Sequence, residues 1–396
     1  MIIGIDGSRA FLKDKTGTEN YSYQLLKALA KLEQSSFSSK IDSKNQYIVY
    51  LRTQGDALRG WSGNFKFVEL KWPRLWTQVG LARQTFKDKL DVLFIPAHTS
   101  PLIHKPGLKT VVTVHDLGAE YLPKMHQLKQ RLYLKYITKY QLKSATKLIA
   151  VSNATKKDLV KKIGIDPKKI EVIYEGYDEN LFKPVKNDIL VNSLKEFDLV
   201  AGKYFLFIGT IQPRKNLERL IKAFSSVISS GTRNLKIKKA KSRDLSLIAR
   251  DDNSKLVLVG SRGWLSDSIY KLPAKLGIED KVKFLGRVED KDLPALYSGA
   301  IALTFPSLFE GFGLPILEAQ ACGCPVLTSS TSSMPEIAGK GAIYVNPHSL
   351  DDIIRGMSRV KSQESRVKLV RAGFENVKRF AWEKCAKETL KVLESV

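Results

Sequence analysis

Cysteine is scarce in this chain. Three occur among 396 residues, at Cys322, Cys324 and Cys385. An odd, sparse count excludes a disulfide framework and points to a reducing compartment. Cys322-Gly-Cys324 has no second pair with which to complete a zinc site. Acidic residues are also in deficit: 40 Asp plus Glu stand against 65 Lys plus Arg, for a formal net charge of +25. Such a field attracts phosphates, anionic lipid or nucleic acid and says nothing about fold; a lysine-rich background composition is the plain alternative. No apolar run approaches the ~20 residues that span a bilayer. The start, Met-Ile-Ile-Gly-Ile-Asp, is too short for a signal peptide. The expectation is a soluble cytoplasmic protein with an anionic membrane face as a candidate partner. Short-period repeats and nucleic-acid modules such as RRM or zinc-finger spacing are missing as well, which makes nucleic acid an improbable partner.

What is present is ordinary globular material, 43% apolar and 9% aromatic. At ~100–200 residues per domain the length suggests two or three domains. Short apolar runs alternate with helical periods throughout. The first half offers strands at Ile2–Asp6, Tyr47–Leu51, Phe65–Leu70, Val92–Ile95, Thr110–Val114, Lys147–Val151 and Glu171–Ile173. The second offers Tyr204–Ile208, Lys255–Val259, Val282–Leu285, Ile301–Phe305, Pro325–Thr328 and Ala342–Val345. Short apolar strands alternating with helices indicate parallel sheets buried on both faces, and two series indicate two doubly wound α/β domains. Tyr21, Leu25, Leu29 and Leu32 keep helical spacing after a Gly-Thr-Glu loop, and Ser152 reads as the N-cap of a helix from Asn153. Strand signals lapse between Gly176 and Gly202. The domains expected are residues 1–180, residues 200–375 and a C-terminal helix over 376–396 that can cross back to the first domain. Ser229 to Ser254, polar and basic, reads as a surface insertion.

Ligands of open parallel sheets bind outside the carboxyl ends of strands. After Tyr204–Ile208 comes Gly209-Thr210-Ile211-Gln212-Pro213-Arg214-Lys215-Asn216 and then a helix. Glycine permits close backbone approach. Arg214 and Lys215 set a fork and a point charge beside a helix N-terminus, chemistry suited to a diphosphate; taken alone, a solvated Arg-Lys pair is the plainer account. After Ile301–Phe305 comes Pro306-Ser307-Leu308-Phe309-Glu310-Gly311-Phe312-Gly313-Leu314-Pro315-Ile316-Leu317-Glu318. Its two glycines make a tight loop whose N–H groups can face a ligand, and Pro315 fits a first helical turn. Glu310 and Glu318, eight apart, could work as an acid/base pair or accept hydrogen bonds from sugar hydroxyls. Turn chemistry and a helix-dipole carboxylate are the bland alternatives. His115 follows an apolar run and should emerge at a strand end, where a core histidine bonded to backbone is the competing reading. His98 is a second candidate on the same logic.

Several of these segments together resemble glycosyltransferase family 4. Glu310-Gly-Phe-Gly-Leu-Pro-Ile-Leu-Glu318 with Ala321-Cys-Gly-Cys-Pro-Val matches its Glu-x7-Glu signature. Gly209-Thr210 through Arg214-Lys215-Asn216-Leu217 is similar to its phosphate loop. Val282 to Val288, Phe305-Pro-Ser307, Met334-Pro-Glu336, Val112-Thr-Val-His115-Asp116, Val151-Ser-Asn-Ala and Thr16-Gly17-Thr18-Glu19-Asn20-Tyr21 extend the match over nearly the whole chain outside the insertion. The resemblance implies a GT-B fold, two Rossmann-like domains facing across a cleft, and a retaining glycosyltransferase using a nucleotide-diphosphate sugar. Motif style favours GDP-mannose as donor, with UDP-sugars as the alternative, and a glycan or lipid-linked acceptor. Arg214 and Lys215 would neutralise the diphosphate, and Gly209 and Thr210 would lie along it. Glu310, with the N–H groups of Phe312, Gly313 and Leu314 beside Gly311, would hold the sugar. Glu318 would hold the ribose, and Arg287 and Val288 would line the base pocket. His115 would lie across the cleft near the sugar, and Gly17, Thr18 and His98 would face the acceptor.

Asp290-Lys-Asp292 is formally an Asp-x-Asp metal pattern, but it precedes a helix and is read as capping. With Arg214 and Lys215 in the cation's part, no metal or cofactor is expected. Arg131, Lys135, Lys139 and Lys143, beside Leu132, Tyr136 and Tyr140, form a basic amphipathic stripe suited either to anionic lipid or to a solvated helix face. Two other functions compete: a glycoside hydrolase or phosphorylase using the two glutamates, and a non-enzymatic basic protein binding lipid or nucleic acid.

Overall fold

The computed structural model describes residues 1–12, 17–38, 45–53, 61, 63–72, 74–97, 99–117, 137–229 and 253–396, with the backbone alone given for 35–38. The chain divides into two compact units. Unit 1 is Met1–Gly176 with Phe380–Val396, and unit 2 is Tyr177–Arg379.

Unit 1 holds a seven-stranded sheet of β1 (Ile2–Asp6), β2 (Gln46–Leu51), β3 (Phe65–Glu69), β4 (Val92–Ile95), β5 (Lys109–Val114), β6 (Lys147–Ala150) and β7 (Ile170–Val172). Their spatial order is β3-β2-β1-β4-β5-β6-β7 and every pairing is parallel. Unit 2 holds β8 (Tyr204–Ile208), β9 (Lys255–Val259), β10 (Val282–Gly286), β11 (Ala302–Phe305), β12 (Val326–Ser329) and β13 (Ala342–Val345), ordered β10-β9-β8-β11-β12-β13 and again all parallel. Both orders run outward from the first strand and then reverse, as in doubly wound nucleotide-binding sheets. The reversal falls between β1 and β4 in unit 1 and between β8 and β11 in unit 2.

The central strands are predominantly apolar, as expected of a sheet covered by helices on both faces. All five residues of β8 and all four of β11 are buried. Phe207 and Phe305 stack across the reversal point, their ring centroids 5.8 Å apart. Each such side chain contributes roughly 1.5–3 kcal/mol by leaving water. The two loops that diverge at the reversal point thus start from buried strands.

Every strand expected from the sequence is present, with ends moved by at most one residue. Ser152 caps the helix Asn153–Asp158, its side chain accepting from Thr155 N at 3.1 Å. Other expectations need correction. Gly17-Thr18-Glu19 is the first turn of the helix Gly17–Ser38 rather than a loop. Residues 376–396, expected as one helix, hold the end of one, Gln363–Val377, and the whole of a second, Trp382–Glu394, with a break between them. Residues 177–180, expected in the first domain, and 181–199, left between domains by the sequence, belong to unit 2, where the helix Asn187–Lys195 packs on the helix Leu293–Gly299. Asp292 does not cap the helix Leu293–Gly299 with its side chain. Its backbone is already helical, which turns the carboxyl away from the N–H groups that an extended N-cap reaches. The insertion lies outside the described residues over 230–252, as do Arg131, Leu132, Lys135 and Tyr136.

Candidate functional site

The strongest cluster sits at the carboxyl ends of β8 and β11 in unit 2. After β8 the chain turns at Gly209 (φ 145°), where a Cβ would press on the Phe207 ring at 3.3 Å. Three backbone bonds pin the loop to the end of β9. Gly209 N donates to Val259 O, Ile211 N to Ser261 O and Gly263 N to Ile211 O, each at 2.9 Å. Pro213–Lys215 then form one 3-10 turn, ended by Asn216 in the left-handed region at φ 62°. Asparagine tolerates that conformation. Here its Nδ2 also donates to Pro306 O at 3.0 Å and to Pro347 O at 2.7 Å, while Leu308 N donates to Arg214 O at 2.9 Å. The two loops are thereby laced together, and Asn216 holds the lacing.

Glu310 is the electrostatic centre. It is 6% exposed and accepts from Lys215 Nζ at 2.5 Å and from Arg214 Nη1 at 3.1 Å. Burial alone would raise its pKa. The Lys215 and Arg214 charges and the Lys215 hydrogen bond outweigh burial and hold the carboxyl below its ordinary value. Lys215 is 7% exposed, and its ammonium lies 5.0 Å from the centroid of the Phe305 ring. Arg214 also donates to Phe309 O at 3.2 Å. Two cations against one carboxylate give the cluster a net positive charge beside the Phe305 ring, which suits it to attract an anion. The loop after Glu310 is shaped by Ser332 and Ser333. Ser332 Oγ donates to Glu310 O at 2.5 Å, and Ser333 Oγ donates to Glu310 O at 2.9 Å and to Phe312 O at 2.7 Å. Gly313 (φ 114°) then opens the helix Leu314–Ala321, with Pro315 in its first turn. Gly311 and Phe312 are buried within this loop and Leu314 is partly exposed.

Glu318 has a different environment. It lies on that helix, partly buried, and accepts from the Tyr297 hydroxyl at 2.7 Å. Burial pushes its pKa up to about 7; the Tyr297 hydrogen bond opposes this and the charge of Asp290 adds to it. The two glutamates therefore differ in protonation, with Glu310 ionised by its cations and Glu318 poised near neutrality. Arg287 is exposed and Val288 buried at the end of β10, and Thr210 is partly exposed in the β8 loop. Among the described residues no group of three or more His, Cys, Asp or Glu side chains could hold a metal ion.

In unit 1, His115 emerges at the carboxyl end of β5, but both ring nitrogens are engaged. Nε2 lies 2.9 Å from Pro96 O and Nδ1 lies 3.3 Å from Glu175 Oε1, while Tyr21 meets the ring edge-on at 4.6 Å. Burial would lower its pKa. The hydrogen bond and charge of Glu175, with the Pro96 carbonyl and Asp116, more than reverse that and raise it above the ordinary 6.5. With an acceptor at each nitrogen the ring is suited to the doubly protonated imidazolium, held by backbone as much as presented. Gly17 is exposed in the first turn of its helix, and Thr18 accepts from Ser22 Oγ through its carbonyl at 2.9 Å. His98 lies outside the described residues. Sequence reasoning missed Glu175, Tyr297, Ser332 and Ser333. Glu175 stands 60 residues from His115 with no local signal. The run Ser329-Ser330-Thr331-Ser332-Ser333 was a visible hint of loop-bonding hydroxyls.

Known proteins share this fold. The whole chain superposes on the sucrose-phosphate synthase of Thermosynechococcus elongatus at a TM-score of 0.73 and 19% identity, covering 100% of this chain and 98% of that one. It superposes on Anabaena HepE in complex with UDP and glucose at 0.72 and 17%, covering 100% and 99%. The fold is that of the GT-B glycosyltransferases. Residues 197–376 match the family described as Glycosyl transferases group 1, and residues 15–181 match Glycosyltransferase Family 4. In sequence the chain is 30% identical over 286 residues to the O-antigen chain mannosyltransferase RfbU of Salmonella typhimurium, an alignment spanning 71% of this chain and 69% of that one. It is 29% identical over 283 residues to the O-antigen chain mannosyltransferase B of Escherichia coli, with the same coverage. The chain belongs to glycosyltransferase family 4 and is a glycosyltransferase. The hydrolase and non-enzymatic readings are thereby set aside.

Proposed function

We propose that the protein transfers mannose from GDP-mannose, with retention and without a metal, to a glycan or lipid-linked acceptor. The observation that carries the proposal is the Arg214–Glu310–Lys215 cluster at the reversal point of the unit 2 sheet. Free of donor, the two cations are held in place by Glu310. A bound diphosphate takes up their positive charge and frees the carboxylate to accept from sugar hydroxyls. As the glycosidic bond breaks, negative charge grows on the leaving diphosphate, where Arg214 and Lys215 stand ready-oriented in a low-dielectric pocket. That is the service a divalent metal gives elsewhere, so the cluster supports metal independence. Gly209, Thr210 and the N–H groups of Phe312, Gly313 and Leu314 bind the donor alongside. Glu318 holds the ribose, and Arg287 and Val288 bound the base. Unit 1 takes the acceptor near Gly17, Thr18 and His98, with His115 at the end of β5 beside the transferred sugar.

Mannose is favoured over other hexoses because two relatives near 30% identity are named mannosyltransferases. Their O-antigen products favour a growing polysaccharide as acceptor and a membrane face as workplace. Lys139 and Lys143 flank the exposed Tyr140 on the helix Lys139–Ser144, a composition suited to anionic headgroups. Among the described residues no helix is long and apolar enough to cross a membrane. The test is a panel of nucleotide sugars with EDTA present, scored by nucleoside-diphosphate release. Release from GDP-mannose alone, with the α-anomeric configuration kept in the product, supports the whole proposal. Release from a UDP-sugar instead replaces the donor, and loss of all release in EDTA removes metal independence.

A further inference from the structure

We propose that Ser332 and Ser333 are positioning residues for the donor sugar: their hydroxyls fix the peptide planes of the loop around Glu310 and so decide which way its backbone N–H groups face. The inference rests on the reading above, in which that loop binds the sugar, and adds the device that holds the loop in shape.

In the unit 2 sheet β11 lies between β8 and β12. The loop that leaves β11, Pro306 to Gly313, is therefore flanked on one side by the cationic loop after β8. On the other side is Ser329-Ser330-Thr331-Ser332-Ser333, which ends β12 and continues past it. Hydroxyls of that run donate to one carbonyl of the loop after another. Ser329 Oγ reaches Ser307 O at 2.6 Å and Thr331 Oγ1 reaches Leu308 O at 3.5 Å. Ser332 Oγ reaches Glu310 O at 2.5 Å, and Ser333 Oγ reaches Phe312 O at 2.7 Å and Glu310 O at 2.9 Å. A hydroxyl carries one proton, so Ser332 and Ser333 together supply one for each of the two carbonyls.

In a planar trans peptide the C=O of one residue and the N–H of the next point in opposite directions. A carbonyl turned to the serines therefore sends the following N–H toward the β8 side. The first plane of the loop shows this: Ser307 O goes to Ser329, and Leu308 N donates to Arg214 O at 2.9 Å. By the same geometry Phe312 O, held by Ser333, turns the Gly313 N–H away from the serines and toward the cationic loop. Ser332 grips Glu310 at both of its backbone groups, accepting from Glu310 N at 3.4 Å and donating to Glu310 O. The backbone that carries the Glu310 carboxylate is thus fixed independently of Arg214 and Lys215.

Two features show that these hydroxyls serve the loop rather than their own segment. Ser333 stands at the N-cap of the helix Met334–Ala338, where a serine ordinarily accepts from an N–H of the first turn. Its side chain makes no such bond; it is fully buried and turned to the β11 loop instead. Ser332 holds φ 57° without being glycine, a conformation kept only where the surroundings over-determine it. Ser330, in the same run, is exposed and bonds through its backbone, its N–H donating to Val345 O at 2.9 Å.

The test separates the sugar end of the donor from its nucleotide. Ser333→Ala, Ser332→Ala, Ser332→Gly and Ser330→Ala are compared with wild type by calorimetry with GDP and UDP, by thermal melting, and by turnover of the nucleotide sugar that wild type uses. S333A and S332A should lose about 10- to 100-fold in kcat/KM, the cost of a misplaced binding group, with nucleotide Kd and stoichiometry within a few-fold of wild type. S332G relieves the left-handed φ and should melt above S332A, yet it lacks the hydroxyl and should turn over no faster. S330A should match wild type throughout. A merely structural role makes the opposite forecast, activity that follows the melting temperature and returns in S332G. Turnover of S333A or S332A within about twofold of wild type, nucleotide affinity lost in step with turnover, or activity recovered in S332G overturns the inference and leaves the donor reading standing. If S333A does not fold, the comparison of S332A with S332G decides alone. A wild type that binds neither nucleotide and turns over no nucleotide sugar overturns the reading above and the inference with it.

Discussion

Replacing Glu318 by Gln should make the protein more stable and a poorer binder of nucleotide at once. Glu318 carries a pKa near 7 against an ordinary 4.5. The folded state therefore binds a proton more tightly than the unfolded chain. Such a group adds stability at low pH and takes it away as pH rises from 4.5 through 7. The displacement from 4.5 to about 7 corresponds to about 3 kcal/mol once pH exceeds both values. Gln keeps an oxygen for the Tyr297 hydroxyl and carries no charge. E318Q should gain under about 1 kcal/mol at pH 5 and about 3 kcal/mol at pH 8. With about 2–4 °C per kcal/mol for a unit of this size, the melting temperature should rise by several degrees at pH 8 and barely at pH 5. Nucleotide affinity should fall about 10- to 100-fold at pH 8, the value of a hydrogen bond to a charged acceptor. Thermal melts at the two pH values and calorimetry with GDP and UDP read both effects. An equal stabilisation at both pH values, or none, would refute the assignment of a raised pKa to Glu318; undiminished affinity would refute its place at the ribose.

The other clusters carry expectations of their own. Lys215→Met strands the buried Glu310 carboxylate beside Arg214 alone, which should cost about 3–5 kcal/mol of stability in a chemical-denaturation series. The double change Lys215→Met with Glu310→Gln should recover most of that stability while donor turnover stays at least about 100-fold down; recovery of turnover would deny the cations their role. Asn216→Ala loses two bonds to carbonyls and must hold φ 62°, so it should cost about 2–4 kcal/mol, and Asn216→Gly somewhat less. Equal costs would show that the backbone conformation contributes nothing. The His115–Glu175 pair should stabilise the fold fully below pH 6.5 and lose its effect as pH rises through the raised pKa of His115. The melting difference between wild type and His115→Gln should accordingly be larger at pH 6 than at pH 9.

The strands were legible because burial on both faces makes the central ones predominantly apolar, and Tyr204–Ile208 cannot be mistaken for a surface segment. The cationic loop was legible for a related reason. Doubly wound sheets put ligands at strand ends, so Arg214, Lys215 and Glu310 could be found in the loops that leave β8 and β11. Pairings across long separations were not. Lys215 and Glu310 are 95 residues apart, and nothing in either local sequence says that they touch. Tyr297 and Glu175 were hidden in the same way, since a partner that approaches from another element leaves no periodicity behind. His115 shows the limit from the other side. Its place at a strand end was read from the run Val111–Val114, but the carbonyl of Pro96 that occupies Nε2 could not be. The helix start at Gly17 was misjudged because glycine and threonine look like loop residues, whereas the buried Tyr21 and Leu25 carry the helix back over them.

Unit 1 is completed by its last segment. Trp382 lies against Tyr21 with ring centroids 5.8 Å apart, Asn45 Nδ2 donates to Glu394 Oε1 at 3.0 Å, and a Cβ on Gly176 would strike the Trp382 backbone at 2.2 Å. Cys385 and Leu393 are buried among these contacts. A growing chain usually folds its domains in the order of their synthesis. Here the order of completion is inverted: Tyr177–Arg379 is one continuous stretch, while the earlier-made unit lacks part of its core until Phe380–Val396 has been made. During that interval the uncovered face of the helix Gly17–Ser38 is open to other chains and to chaperones. A truncation before Phe380 would therefore injure the first unit made and spare the second.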